Sequence, residues 1–160
     1  MHKTETTKEI NVPLYTDSEA PKDRDKYRLG GADPKTDTLG AALERYADDA
    51  HVSQSDLSRL TGLSTSAINR FYSNESVPGY RSIVYLCVAL RLHYSRVEYL
   101  YSFTTHILRK SDPYFYTLMD YLVGCPYHEQ YTVKALRKKL AEERAERKRL
   151  SALANEDMQS

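Results

Sequence analysis

Apolar residues recur along this chain at three- and four-residue intervals, interrupted by glycine, proline and short polar residues, a pattern that predicts helices rather than strands. The clearest pair lies in SQSDLSRLTGLSTSAINRFYSN, residues 53–74. Ser53 is placed to cap a helix whose apolar stripe is Leu57 and Leu60, and Asp56 three residues on makes a short capping box with it. Gly62 follows where a helix stops with a left-handed residue. Leu63 carries the apolar surface through the turn, and Ser64 offers a new cap for a second helix bearing Ile68 and Phe71. Ser58 is small where the two helices must cross. Asn74, the non-glycine residue that best tolerates a left-handed stop, stands where the second helix ends.

The same pattern extends on both sides. Asp37 or Thr38 can cap an earlier helix with Leu39, Leu43, Tyr46 and Ala47 toward the core, ending near Ala50-His51. Pro78-Gly79 breaks the chain, and a helix from about Tyr80 to Leu90 presents Ile83, Leu86 and Leu90. Ser95 and Glu98 read as a second capping box for a helix with Val97, Leu100, Tyr101 and Leu108. Asp112-Pro113 reads as the start of another, with Phe115, Leu118, Met119 and Leu122 as its stripe and a stop at Gly124-Cys125-Pro126. Thr132 caps a last helix carrying Val133, Leu136 and Leu140. These two helices are expected to pack together or onto the helix before them. Beyond Leu140 the stripe thins to alanines while surface pairs such as Glu143 with Arg147 take over, so that end is expected to project into solvent and fray. Residues 1–37 mix charges with Thr and Pro, break at Gly30-Gly31 and Asp33-Pro34, and read as a disordered tail.

The helical pair in residues 53–74 differs from an ordinary hairpin in its outward face. Thr65, Ser66, Asn69, Arg70 and Ser73 lie off the apolar stripe and would face outward together. Short hydroxyls, an amide and a guanidinium are the groups that match base-edge donors and acceptors, or phosphate oxygens, in a DNA major groove.

From about Leu39 to Ser102 the chain resembles the Cro/C1-type, phage-repressor-like helix-turn-helix family. The matching residues are Ser53-Gln54, Leu57, Thr61-Gly62-Leu63-Ser64, Ile68-Asn69-Arg70 and Pro78, continued by Ile83, Leu86, Ala89-Leu90 and Leu100. The resemblance implies an all-α fold: a five-helix lambda-repressor-like domain over residues 38–108, preceded by the disordered tail and followed by a helical extension over 109–160. It implies double-stranded DNA as partner and a transcriptional regulator, most often a repressor, acting as a homodimer with one such helix per major groove. By position it makes Gln54 a phosphate clamp, turns Thr65, Ser66 and Arg70 toward bases and sets Ser73 on the backbone, with Ser64 and Asn69 completing the candidate set. Where many members continue with a glutamate and then a glycine after Ile68-Asn69-Arg70, this chain has Phe71-Tyr72-Ser73-Asn74, so the loop before Pro78 is expected to differ in shape.

Charge complicates that reading, because the net charge is only +1. Residues 1–37 hold seven Lys/Arg and eight Asp/Glu, residues 38–108 six and six, and residues 109–160 ten and eight. The candidate DNA-binding domain is therefore neutral, and any positive face must come from segregation: Arg59, Arg70 and Arg81 stand around the turn with only Glu75 against them. Lys134 to Leu150 carries eight basic and three acidic residues, read as a solvated helix face. These features, with fourteen tyrosines and no tryptophan, sustain a rival: an adaptor on a helix-turn-helix scaffold, antitoxin-like or polymerase-associated, with a protein partner on the C-terminal helices. The polar face from Ser64 to Ser73 opposes it, since a protein-binding face should present larger apolar anchors.

Other classes find no support. Cys87 and Cys125 have no CxxC or Cys/His neighbours, which argues against a disulfide scaffold or a zinc site. His51 has no second ligand at helical spacing, and His128-Glu129-Gln130-Tyr131-Thr132 begins like HExxH but ends in threonine. With no GxSxG, GxxxxGK[ST] or GxGxxG, no catalysis, cofactor or metal is assigned. No apolar run approaches the roughly 20 residues of a membrane span, and MHKTETTKEI lacks a signal-peptide core, so the protein is read as cytoplasmic.

Overall fold

A computed structural model describes residues 10, 12–15, 24–106 and 108–159. Within them stand helices α1 (Arg24–Leu29), α2 (Leu39–Asp49), α3 (Gln54–Thr61), α4 (Thr65–Tyr72), α5 (Tyr80–Ala89), α6 (Tyr94–Ser102), α7 (Phe115–Gly124) and α8 (Val133–Gln159), and no strand. The architecture is all-α.

Helix starts follow local chemistry. The hydroxyls of Thr38, Ser53, Ser64 and Thr132 each accept a backbone N–H three residues ahead at 3.1 Å, opening α2, α3, α4 and α8. Two starts differ from expectation. The cap of α6 is His93, whose Nδ1 accepts from Ser95 N at 3.2 Å, so Ser95 lies inside the first turn instead of capping it. Asp112 does accept from Tyr114 N at 2.7 Å, but this closes a turn ahead of α7; Pro113 sits in that turn and the helix begins at Phe115.

Stops are less local. Gly62 ends α3 at φ 77°, as its lack of a side chain allows. His51, Asn74 and Arg91 adopt the same left-handed conformation after α2, α4 and α5. Each sits in a backbone clasp: Val52 N bonds Ala47 O, Glu75 N bonds Arg70 O, and Leu92 N bonds Cys87 O, capturing the last carbonyls of the helices. Val52 and Leu92 are then buried in the core, which offsets the strain of a non-glycine residue at positive φ.

The core is continuous. Tyr46, Leu43, Leu57, Ile68, Ile83 and Leu86 are fully buried, and so are Leu118, Leu122 and Leu136 from the last two helices. α7 packs on α5 and α6, while α8 packs on α7 and α5 and also reaches α3. Cys87 and Cys125 are both buried here; burial pushes both thiols up, Cys125 to about 12. Past Leu140, α8 remains helical to Gln159 with its side chains mostly in solvent.

Much of the tail read as disordered, residues 1–37, lies outside the described residues. The described parts are folded onto the domain. Val12 is buried, Tyr15 N donates to Pro126 O at 2.7 Å, and the Tyr15 and Tyr27 hydroxyls are hydrogen-bonded. Helix α1 lies against α6 because Arg96, only 6% exposed, donates to the Tyr27 carbonyl at 3.1 and 3.2 Å and stacks between the Tyr27 and Tyr46 rings. Asp37, before α2, has a carboxylate 2% exposed and held by Arg45 at 2.9 Å and by the Tyr99 hydroxyl at 2.6 Å.

Four of the five C-terminal tyrosines, Tyr114, Tyr121, Tyr127 and Tyr131, are half-buried. Tyr121 and Tyr131 meet edge to face at 4.9 Å, against Gly124. Only Tyr116 of the five stands out in solvent, at 72% exposure.

Candidate nucleic-acid interface

The turn between α3 and α4 is built from its own side chains. Ser58 Oγ donates to Leu63 O at 2.5 Å. Thr61, fully buried, donates to Leu57 O at 2.7 Å and accepts from Leu63 N at 3.1 Å, so one hydroxyl ties both arms. Arg137, from α8, donates to the Thr61 carbonyl at 2.5 Å. The extension therefore fastens directly on the turn.

Helix α4 is then fixed at its far end. Gly40 in α2 has the backbone of α4 so close that a Cβ would come 2.4 Å from the carbonyls of Phe71 and Tyr72. Asn74 accepts from Gly40 N at 2.9 Å and donates to Thr38 Oγ1 at 3.1 Å. This explains the departure at Phe71-Tyr72-Ser73-Asn74: asparagine supplies both the left-handed stop and a side-chain clamp onto α2, which glycine does not provide. Tyr72 is wedged beside α2, where burial, then Glu44 and Asp48, push its pKa up to about 12.

With Ile68 and Phe71 buried below, the opposite side of α4 is open: Ser64, Thr65, Ser66, Asn69, Arg70 and Ser73 are all exposed. Gln54, at the start of α3, is half-buried, and its Nε2 lies 3.5 Å from Asn69 Oδ1. That long contact links the starts of the candidate set across the two helices. Ser64 spends its hydroxyl on the Ala67 N–H as helix cap, and Ser73 Oγ donates to Arg70 O at 3.3 Å. The side chains of Thr65, Ser66 and Arg70 make no such intramolecular contact among the described residues, leaving their donors and acceptors for an outside partner. All seven residues come together along one ridge.

The charges around the turn correct one expectation. Arg59 does not stand against Glu75 alone, because Asp56 Oδ1 pairs with it at 2.6 Å. That bond, with those to Ser53, holds the Asp56 carboxyl below the usual carboxylate range. Arg81 lies over the Tyr114 ring at 5.0 Å. Arg70 is thus the cation of α4's outward face. Asp56 lies one helical turn before Arg59, a spacing legible in the sequence; Asn74 and Arg137 as anchors depend on segments distant along the chain.

Among the described residues, no helix is long and apolar enough to cross a membrane, and no cluster of three potential metal-binding side chains occurs. Comparison with curated proteins and with solved structures finds no match. Residues 42–93, from α2 through the cap of α6, match the model of the Cro/C1-type HTH DNA-binding domain. The α3–turn–α4 unit, with its buried apolar stripe and open polar ridge, lies within this stretch, and the match to a Cro/C1-type HTH DNA-binding domain supports a DNA-binding role in the regulation of transcription.

Proposed function

We propose that this protein binds a double-stranded DNA operator in a sequence-specific manner as a homodimer, inserting α4 of each copy into a major groove, and represses transcription by occluding polymerase. Thr65, Ser66 and Arg70 read base edges, Asn69 is braced beside them by Gln54, and Gln54, Ser64 and Ser73 meet the phosphate backbone. The observation that carries this reading is the division of α4. Ile68 and Phe71 are buried while Thr65, Ser66, Asn69 and Arg70 are exposed on a helix clamped at both ends. A fixed helix suits recognition, because little ordering entropy remains to be lost on binding.

Selection of bound duplexes from a random library, followed by salt titration of the winner, tests it. A two-fold repeated motif with half-sites about one helical turn apart, and affinity falling steeply with salt, is the expected result. The rival reading, an adaptor for another protein, draws on Tyr116 and Val123, which are exposed on one side of α7. Absence of any enriched sequence, with binding weaker than ~10⁻⁴ M at physiological salt, would favour that adaptor.

A further inference from the structure

The N-terminal half of α8 lies alongside α5 and leaves a groove of about 800 Å³ between them. Arg81 and Tyr85 of α5, Tyr114, and Arg137, Arg144 and Lys148 of α8 line it, with no carboxylate among the lining residues. On α8 the three cations lie seven and four residues apart and so share one face. Two of the three acidic residues of this stretch are engaged elsewhere, Glu143 accepting from Thr117 of α7 and Glu146 pairing with Arg149, and the third, Glu142, does not line the groove. Arg81 and Arg137 are oriented by the rings beneath them, at 5.0 Å from Tyr114 and 4.1 Å from Tyr85. None of the four cations has a carboxylate partner among the described residues. Four like charges that line one groove without a carboxylate partner favour an anion there.

Two features select the kind of anion. From Arg137 to Lys148 the helix rises about 16 Å at 1.5 Å per residue, a length matching about five phosphates of one DNA strand at ~3.4 Å of axis each. The groove is also open along its side, unlike the pockets that enclose most of a small ligand's surface. Its head lies at the helix-turn-helix itself, where Arg137 bonds the last carbonyl of α3, and Arg81 stands in the first turn of α5, just beyond the loop that follows α4.

We propose that this groove is a second contact to the DNA backbone: Arg81, Arg137, Arg144 and Lys148 grip phosphates of the duplex flanking the sequence read by α4. This rests on the operator-binding reading above and extends it. The neutral domain would thereby borrow positive charge from the extension, which explains how a chain of net charge +1 meets a polyanion. The contact is independent of base sequence, so it adds affinity and salt dependence without altering specificity.

The test uses the full chain, its selected duplex, and the same duplex trimmed to the read sequence. Arg144→Ala/Lys148→Ala changes exposed residues, and a thermal melt matching the parent confirms the fold. On the long duplex the variant is expected to lose about two phosphate contacts, so its affinity falls about tenfold less between ~50 and 200 mM salt than the parent's. The selected motif should be unchanged, the trimmed duplex should bind both proteins alike, and Arg144→Lys alone, which keeps the charge, should behave like the parent. Equal affinity and slope for parent and variant on the long duplex would overturn the groove while leaving the operator reading intact. Failure of the parent to select any duplex would overturn both. If inorganic tripolyphosphate binds the parent but not the variant, and DNA binding is the same in both, the groove is a small-anion site and the backbone contact is refuted.

Discussion

The α3–α4 unit and the segments that flank it are held by different means. Inside the unit, the contacts are short-range: Ser53 to Asp56, Thr61 to Leu57, Ser58 to Leu63 and Ser64 to Ala67, over a stripe of Leu57, Ile68 and Phe71. The flanks are fastened by arginines that reach main-chain carbonyls far along the chain. Arg96 holds Tyr27, Arg91 holds Cys125, His128 and Glu129, and Arg137 holds Thr61. A guanidinium suits this task, since its fixed fork of donors can satisfy several acceptors while its plane stacks on a tyrosine. The difference separates roles as well. The unit presents the polar ridge, and the arginine-held flanks stiffen the scaffold behind it.

The sharpest break in that comparison is Arg96→Ala. It removes two hydrogen bonds to a carbonyl, an ion pair to Asp49 and the stacking between Tyr27 and Tyr46. Stability should fall by about 3–4 kcal/mol in urea unfolding, with residues 24–37 becoming open to protease. Next comes Gly40→Ala, which in an ordinary helix interior would add stability. Here the new methyl meets the carbonyls of Phe71 and Tyr72, so a loss of about 2–3 kcal/mol is expected in the same assay, with α4 displaced and operator affinity reduced.

Arg70→Ala sharpens the contrast from the other side. Its side chain is exposed, so the melting temperature should stay near the parent's while specific DNA binding weakens by ~1–3 kcal/mol in a titration. An unchanged affinity would remove Arg70 from the readout.

The smallest effect is one of pH. Burial of Asp37 raises its pKa, but hydrogen bonds from Arg45 and Tyr99 outweigh it and the net shift is downward. A carboxyl with a folded pKa below its unfolded value contributes stability above the unfolded value and loses it as pH falls through the folded one. Acid titration of stability should therefore show a loss beginning in the ordinary carboxylate range. Asp37→Asn should cost about 1–2 kcal/mol at neutral pH and flatten that acid limb.

The α3–α4 unit was legible because its signals are local. A cap and the N–H it satisfies lie three residues apart, a helix face recurs every three or four, and a left-handed stop at glycine needs no distant partner. Thus Ser53, Gly62, Ser64 and Thr132 read correctly without knowledge of the fold, the cap of α2 was narrowed to Asp37 or Thr38, and the polar ridge of α4 followed from the apolar stripe beneath it. Where the stop is His51 or Arg91, the sequence carries no such sign. A non-glycine residue tolerates positive φ there because the next residue, Val52 or Leu92, is drawn into the core. The same holds for His93, which displaced Ser95 as the cap of α6.

What the sequence alone determined, then, is the run of helices from α2 to α8, though not α1, and the chemistry of one ridge, since both depend on neighbours within a single turn. Tertiary structure decided how Val12, Tyr27 and Asp37 join the domain, how Asn74 clamps α4 onto α2, and how α8 comes to lie against α5 and α3 so that Arg81, Arg137, Arg144 and Lys148 share a groove. Those contacts join residues tens of positions apart. Their stabilisation exists only once the core has brought the segments together, and a donor such as arginine can meet almost any carbonyl the fold delivers to it.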